Sequence, residues 1–313
     1  MKKNTINLIA ILFFSILVAC NSTPNIDNSM LDSGMISYAI PDSLNKHLLS
    51  ANMPNPTPQQ LNTPVIIAAH GYTATTFEWD ELRTYAGNKG TFYVSQVLLG
   101  GHGRSYTDFK KSTWQDWQSA ISWEYKNLSD MGFKKIYLAG SSTGAPLIIN
   151  MVKTHFFDQY TLPKGIFLVD PIVVSSNKTL TLVGLLGPVL GFTSVDLSNG
   201  EKGHWYVYRP QETLKQLMAL IDLTRTDLED GISLPTGTYL KVYKSIKDET
   251  ADPISAVMIY KGIRTSTGGN VDVEMENSTL HVFTRLAGRD IETPEQKVLQ
   301  QKTFADMENI MTK

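Results

Sequence analysis

The chain of 313 residues has one cysteine, no run of basic residues and no apolar stretch of twenty. A single thiol cannot close an internal disulfide, and it is too few for a cysteine-based zinc site. Lys and Arg number 28 against 30 Asp and Glu, a net charge of −2. Tracking phosphates requires a positive field, so nucleic acid is not an expected partner. The six histidines form no HxH or HxxxH pair, which argues against a metallohydrolase. Charged residues make up only 19%, but the apolar share of 42% is ordinary for a soluble globular domain. Neither wholesale disorder nor a coiled coil fits that balance. The length allows one large α/β core as readily as two small domains.

Lys2 and Lys3 precede a mostly apolar stretch, Ile6 to Ala19. It is too short for a membrane span, which takes about 20 apolar residues, and suits a signal segment. The stretch ends Leu17-Val18-Ala19-Cys20, which resembles the lipobox of bacterial lipoproteins. That resemblance implies a signal peptide over 1–19, cleavage before Cys20 and lipidation of Cys20, the chain's only cysteine. Several acyl chains would hold the protein firmly to a membrane of the bacterial cell envelope. Asn21 at the next position points to the outer membrane. Residues 20–64, rich in Asn, Ser, Thr and Pro, read as a flexible tether and extended connector, with a weak element between Met35 and Ala51.

From residue 65 onward, short apolar strands alternate with amphipathic helices. Strands are predicted over Val65–Ala69, Phe92–Leu99, Lys135–Ala139, Gly165–Val174, Tyr239–Ile246 and Val271–Met275. Helices are predicted over Thr76–Tyr85, Thr113–Leu128, Ser142–His155 and Ile254–Gly262, and from Pro294 to the C-terminus. Trp114, Trp117, Ile121, Tyr125 and Leu128 recur at helical spacing and read as core packing, not as a binding box. This alternation implies an α/β fold with a mostly parallel central sheet and helices on both faces. Ligands of such sheets gather at the carboxyl ends of the strands.

Three loops meet there. Gly140-Ser141-Ser142-Thr143-Gly144 joins a strand to a helix, and only Ser142 has glycine at both −2 and +2. A nucleophilic serine on such a turn needs small neighbours and a strained backbone, and the helix start behind it faces a developing oxyanion. His70-Gly71-Tyr72-Thr73 ends the first strand and offers the Tyr72 N–H. Paired with the N–H of Thr143 it would form a two-donor oxyanion hole, each donor worth about 3 to 4 kcal/mol in comparable sites. His70 and His102 read as packed loop histidines. His281 follows the last strand and is the candidate base. Asp248 follows the strand before it and is the candidate acid, with Asp170 as its rival. Glu249 and Asp252 read as a solvated turn and a helix cap. The chain order is then Ser, Asp, His.

From about Val65 to the C-terminus the sequence resembles bacterial carboxylesterases and monoacylglycerol-lipase-like members of the α/β-hydrolase fold. The resemblance rests on His70–Thr75, Gly100–Ser105, the Gly140–Gly144 motif, the acid loop Lys247–Ala256 and Leu280-His281-Val282. It implies Ser142 as nucleophile, Asp248 as acid, His281 as base, and Tyr72 and Thr143 as oxyanion donors. Two positions depart from the family pattern: Leu280 replaces the usual Gly or Ser before the histidine, and Thr143 replaces Met or Gln. Residues 65–313 would be the hydrolase domain, with a cap insertion over about 175–235. That insertion holds an uncharged, glycine-rich run, 180–192, read either as an acyl pocket or lipid-contacting surface or as ordinary cap core. Pro210 to Leu228 within it reads as an amphipathic cap helix.

The expected activity is hydrolysis of a short or medium acyl ester through an acyl-enzyme, with no metal and no organic cofactor. The expected partners are that small-molecule ester and the membrane that holds the Cys20 anchor. Thioesterases, peptidases and acyltransferases use the same triad, and fold cannot separate them. A silent hydrolase-like lipoprotein that binds a lipid or a partner is the reading from another class.

Overall fold

The computed structural model describes residues 45–176 and 191–313. The lipobox-like segment, Cys20, and positions 180–190 of the apolar cap run lie outside the described residues.

Of the first two described helices, one overlaps the end of the weak element expected between Met35 and Ala51, and the other falls where the sequence suggested an extended connector. Leu49–Asn52 (α1) and Pro58–Asn62 (α2) are short helices. Thr57 starts α2 with a capping box: its hydroxyl accepts the Gln60 N–H, and the Gln60 side chain accepts the Thr57 N–H. That reciprocal cap, with Pro58 at the first helical position, outweighs the extended bias of a proline-rich stretch. The Leu49 N–H donates to Ser95 Oγ and the Ser50 N–H to Glu124, so this segment is bound to the domain's surface.

Val65–Ala69 (β1) is apolar throughout because it is buried on both faces. Val65, Ile67 and Ala69 enter one core, and Ile66 and Ala68 the other. A short 3₁₀ turn over Thr76–Trp79 leads into Asp80–Lys89 (α3), where a single helix was predicted. Tyr93–Val97 (β2) follows, then Tyr106–Lys111 (α4) and Trp114–Asp130 (α5). A Thr113–Asp116 capping box starts α5, and Trp117, Ile121, Tyr125 and Leu128 line its buried stripe. Ile136–Ser141 (β3) turns at once into Gly144–Lys153 (α6). Gly165–Val169 (β4) is shorter than predicted, because Asp170 takes a left-handed φ of 45° and turns the chain out of the sheet.

The insertion after β4 forms a small antiparallel pair, Phe192–Ser194 (β5) and Tyr208–Pro210 (β6), then the long helix Gln211–Asp230 (α7). Ile232–Ser233 (β7) precedes Tyr239–Ser245 (β8), Ile254–Gly262 (α8) and Ile263–Arg264 (β9). Asp272–Glu276 (β10) and Pro294–Thr312 (α9) complete the chain. The main sheet has the order β10-β8-β4-β3-β1-β2, and every neighbouring pair in it is parallel. Its two faces carry separate cores, one holding Trp117, Tyr125 and α6, the other Trp79, Phe167 and Phe304 of α9. All strands therefore end on one edge, and the loops leaving β1, β3, β4, β8 and β10 converge there.

Candidate active site

The turn between β3 and α6 is the most constrained part of this edge. Ser142 takes a left-handed φ of 48°, a conformation that costs a non-glycine residue energy. Three backbone hydrogen bonds hold it: its N–H donates to the Val169 carbonyl, and its own carbonyl accepts from Ala145 and Ile172. A Cβ on Gly140 would lie 2.6 Å from the carbonyl carbon of Gly144, and one on Gly144 would lie 2.4 Å from the Ala69 oxygen. Only glycine fits at either place. The motif is therefore a steric requirement of bringing α6 against β1 and β3.

His281 arrives from the loop after β10. Its Nε2 lies 2.8 Å from Ser142 Oγ, and its Nδ1 lies 2.8 Å from Asp248 Oδ2. With the Nδ1–H donated to the carboxylate, Nε2 is placed to accept from the serine hydroxyl. Asp248 is buried, and its Oδ1 accepts the Thr250 and Ala251 N–H groups at 2.8 and 3.1 Å. Burial alone would raise this carboxyl. Hydrogen bonding and attraction from His281 and Lys244 outweigh it and hold Asp248 at about 2. The group is ionised at neutral pH.

The rival aspartate has other work. Asp170 is fully buried; its Oδ1 accepts the Ser245 N–H at 2.7 Å and Lys244 Nζ at 3.1 Å. Its Oδ2 accepts the Phe283 N–H and the Ser245 hydroxyl. It braces the end of β8 and the histidine loop. Glu249 lines the cavity beside Ser142, and Asp252 accepts the Ile254 N–H at the start of α8.

Among the described residues no acceptor takes the N–H of Tyr72 or of Thr143, the two expected oxyanion donors. Thr143 stands at the N-terminus of α6, where backbone N–H groups point outward and the helix dipole favours negative charge. The neighbouring Gly71 N–H differs: it donates to Glu78 Oε1 at 2.8 Å. The Ser141 hydroxyl donates to the same oxygen, so Glu78 ties the β1 loop to the β3 turn. His70 accepts the Leu99 N–H on Nε2 and donates from Nδ1 to the Gly71 carbonyl; burial lowers it to about 4. His102 is buried too and is lowered well below the usual histidine range by burial and by His70. Both rings are neutral packing groups of the loops.

A cavity of about 440 Å³ opens above Ser142 and His281. The sheet edge contributes Tyr72, Thr143 and Ile172 to its wall; the insertion contributes Trp205, Arg209, Leu214 and Leu217. Tyr72 Oη bonds to Thr213 Oγ1 at 2.7 Å, and the Tyr206 N–H donates to the Thr73 carbonyl. The insertion is thus fastened to the loop that carries Tyr72. A second cavity of about 590 Å³, bounded by α4 and α5, contains none of these groups.

Sequence reasoning missed Glu78 and Lys244. The signal for Lys244 was a lysine on the same face of its strand as Leu240 and Val242, which are buried. Glu78 gave a weaker one, an acid between Phe77 and Trp79.

No family model matches the chain. It is 29% identical over 226 residues to a thermostable monoacylglycerol lipase of Bacillus sp. (strain H-257), covering 71% of this chain and 85% of that protein. Its fold is similar to a soluble variant of monoglyceride lipase from Saccharomyces cerevisiae, with TM-score 0.63 and 12% identity over 80% of this chain and 86% of that one. It is also similar to the monoacylglycerol lipase of Paleococcus ferrophilus, with TM-score 0.57 and 14% identity over 80% and 96% of the two chains. The chain has the α/β-hydrolase fold. Within that fold it is a lipase-like hydrolase of the esterase/lipase kind.

Proposed function

We propose that the protein hydrolyses short or medium acyl carboxylic esters, monoacylglycerols among them, through a Ser142–His281–Asp248 triad. The observation that carries this reading is the unbroken line of two 2.8 Å contacts from Ser142 Oγ through His281 to Asp248. The N–H groups of Tyr72 and Thr143, without acceptors among the described residues, support the same reading.

Ser142 Oγ attacks the ester carbonyl as His281 Nε2 takes the hydroxyl proton. The new oxyanion accepts from Tyr72 and Thr143, whose N–H groups need no reorganisation to receive it. Asp248, already ionised, steadies the imidazolium and keeps its proton at Nδ1. Collapse of the tetrahedral intermediate breaks the bond to the leaving alcohol, which takes the proton from Nε2. Water then repeats the sequence on the acyl-Ser142 ester, releasing the acid and free enzyme. Leu214, Leu217 and Ile172 offer an apolar seat for the acyl chain, while Glu78, Glu249 and Arg209 give the same cavity a polar side. That pairing suits an ester with an apolar acid and a polar alcohol.

Attachment to the cell envelope through an acylated Cys20 belongs to the same proposal. The test is turnover of monoacylglycerols of graded chain length by wild type and Ser142→Ala. Wild type should release fatty acid, and the variant should lose about a thousandfold or more. Equal turnover by the two would remove Ser142 from the mechanism. Cys20→Ser should move the activity from the membrane to the soluble fraction; retention on the membrane contradicts the anchor.

A further inference from the structure

Lys244 is a buried charge to which the mechanism above gives no role. It is fully buried at the end of β8, on the face that also carries Leu240 and Val242. A buried ammonium is costly unless paired. Its Nζ lies 3.1 Å from Asp170 Oδ1 and 2.5 Å from Asp248 Oδ2. Asp248 Oδ2 is also the oxygen that accepts the His281 Nδ1–H. Two donors therefore converge on one carboxylate oxygen. Pairing with Asp170 alone would already give the lysine a counter-charge, so the second contact asks for a different explanation.

Resting on the reading of Ser142, His281 and Asp248 as a triad, we propose that Lys244 is a positioning residue of that triad. Anchored by Asp170, its ammonium holds the Asp248 carboxylate toward His281 and offsets part of its charge. Orientation is fixed from two sides: the Thr250 and Ala251 N–H groups hold Oδ1, and Lys244 holds Oδ2. A carboxylate alone would stabilise the protonated imidazole fully. With an ammonium on the same oxygen that stabilisation is weaker.

The charged surroundings are otherwise shared by any variant at this position. Lys244 faces Asp170 and Asp248. The carbonyl of His281 accepts from Arg289, behind which Arg285 pairs with Glu201. Glu78, Glu249 and Arg209 line the same cavity as His281.

The test is the pH dependence of fluorophosphonate labelling of the full chain, which needs no knowledge of the natural substrate. Lys244→Met leaves two carboxylates near His281, so the midpoint of the acid limb should rise by about one pH unit. On that limb labelling becomes about tenfold slower than wild type. Asp170→Asn leaves the ammonium facing Asp248 alone, and the midpoint should fall. Shifts of opposite sign are the expected result. A lysine that merely braces the fold would give slower labelling at every pH with both midpoints in place, and that result overturns the proposal. Should Lys244→Met fail to fold, the direction of the Asp170→Asn shift decides: a fall supports the proposal, and an unmoved midpoint overturns it. Wild type that takes no label contradicts the triad itself; labelled wild type with unmoved midpoints contradicts only the role of Lys244.

Discussion

The loops after β4 and β8 each carry a buried aspartate, one on either side of Lys244, and their surroundings differ. Asp248 has one oxygen on backbone N–H groups of its own loop and the other on Lys244 and His281. Asp170 spends its oxygens on Ser245, Phe283 and Lys244, all parts of the scaffold. Burial and a place at a strand end are common to both. What separates them is reach. Asp170 follows its strand immediately and turns inward in the left-handed region, whereas Asp248 stands three residues beyond the end of β8. The extra length carries its carboxylate out to the ring of His281.

That contrast predicts very different consequences for one substitution made twice. Asp248→Asn should lower kcat by about four orders of magnitude, because the amide no longer enforces the Nδ1–H tautomer. Asp170→Asn at neutral pH should cost about tenfold or less in kcat, since it acts through packing and charge. Steady-state kinetics on the two variants decides, and a larger loss at Asp170 would exchange the roles assigned here.

A smaller effect concerns stability. The folded Asp248 carboxyl sits at about 2, below its ordinary value of 3.8. A depressed carboxyl contributes stability that is fully present above the unfolded value and is lost as pH falls through the folded one. Urea unfolding from pH 5 to pH 2 should therefore show wild type losing stability more steeply than Asp248→Asn. Parallel curves would contradict the ionised, hydrogen-bonded carboxylate.

Much of this edge was legible in the chain. Ser142 could be read because a Gly-x-Ser-x-Gly after an apolar strand has few other uses, and the clashes at Gly140 and Gly144 give the reason. His281 and Asp248 followed from chain order, the strand ends and the resemblance of their loops to known ones. The Lys244 bridge did not follow. It spans 74 positions between Asp170 and Lys244, and it exists only because β4 and β8 are neighbours in the sheet. The early end of β4 was hidden as well, since Pro171 to Val174 reads as a continuation unless the left-handed turn at Asp170 is known. The β5–β6 pair, three residues on each side, is too short for a periodic signal.

The central claim is that Ser142 is an activated nucleophile. Intact-mass analysis after fluorophosphonate treatment, with wild type and Ser142→Ala side by side, addresses it directly. One adduct on wild type that disappears in the variant is the predicted result. A folded wild type without an adduct, or an adduct that persists in the variant, would contradict the account.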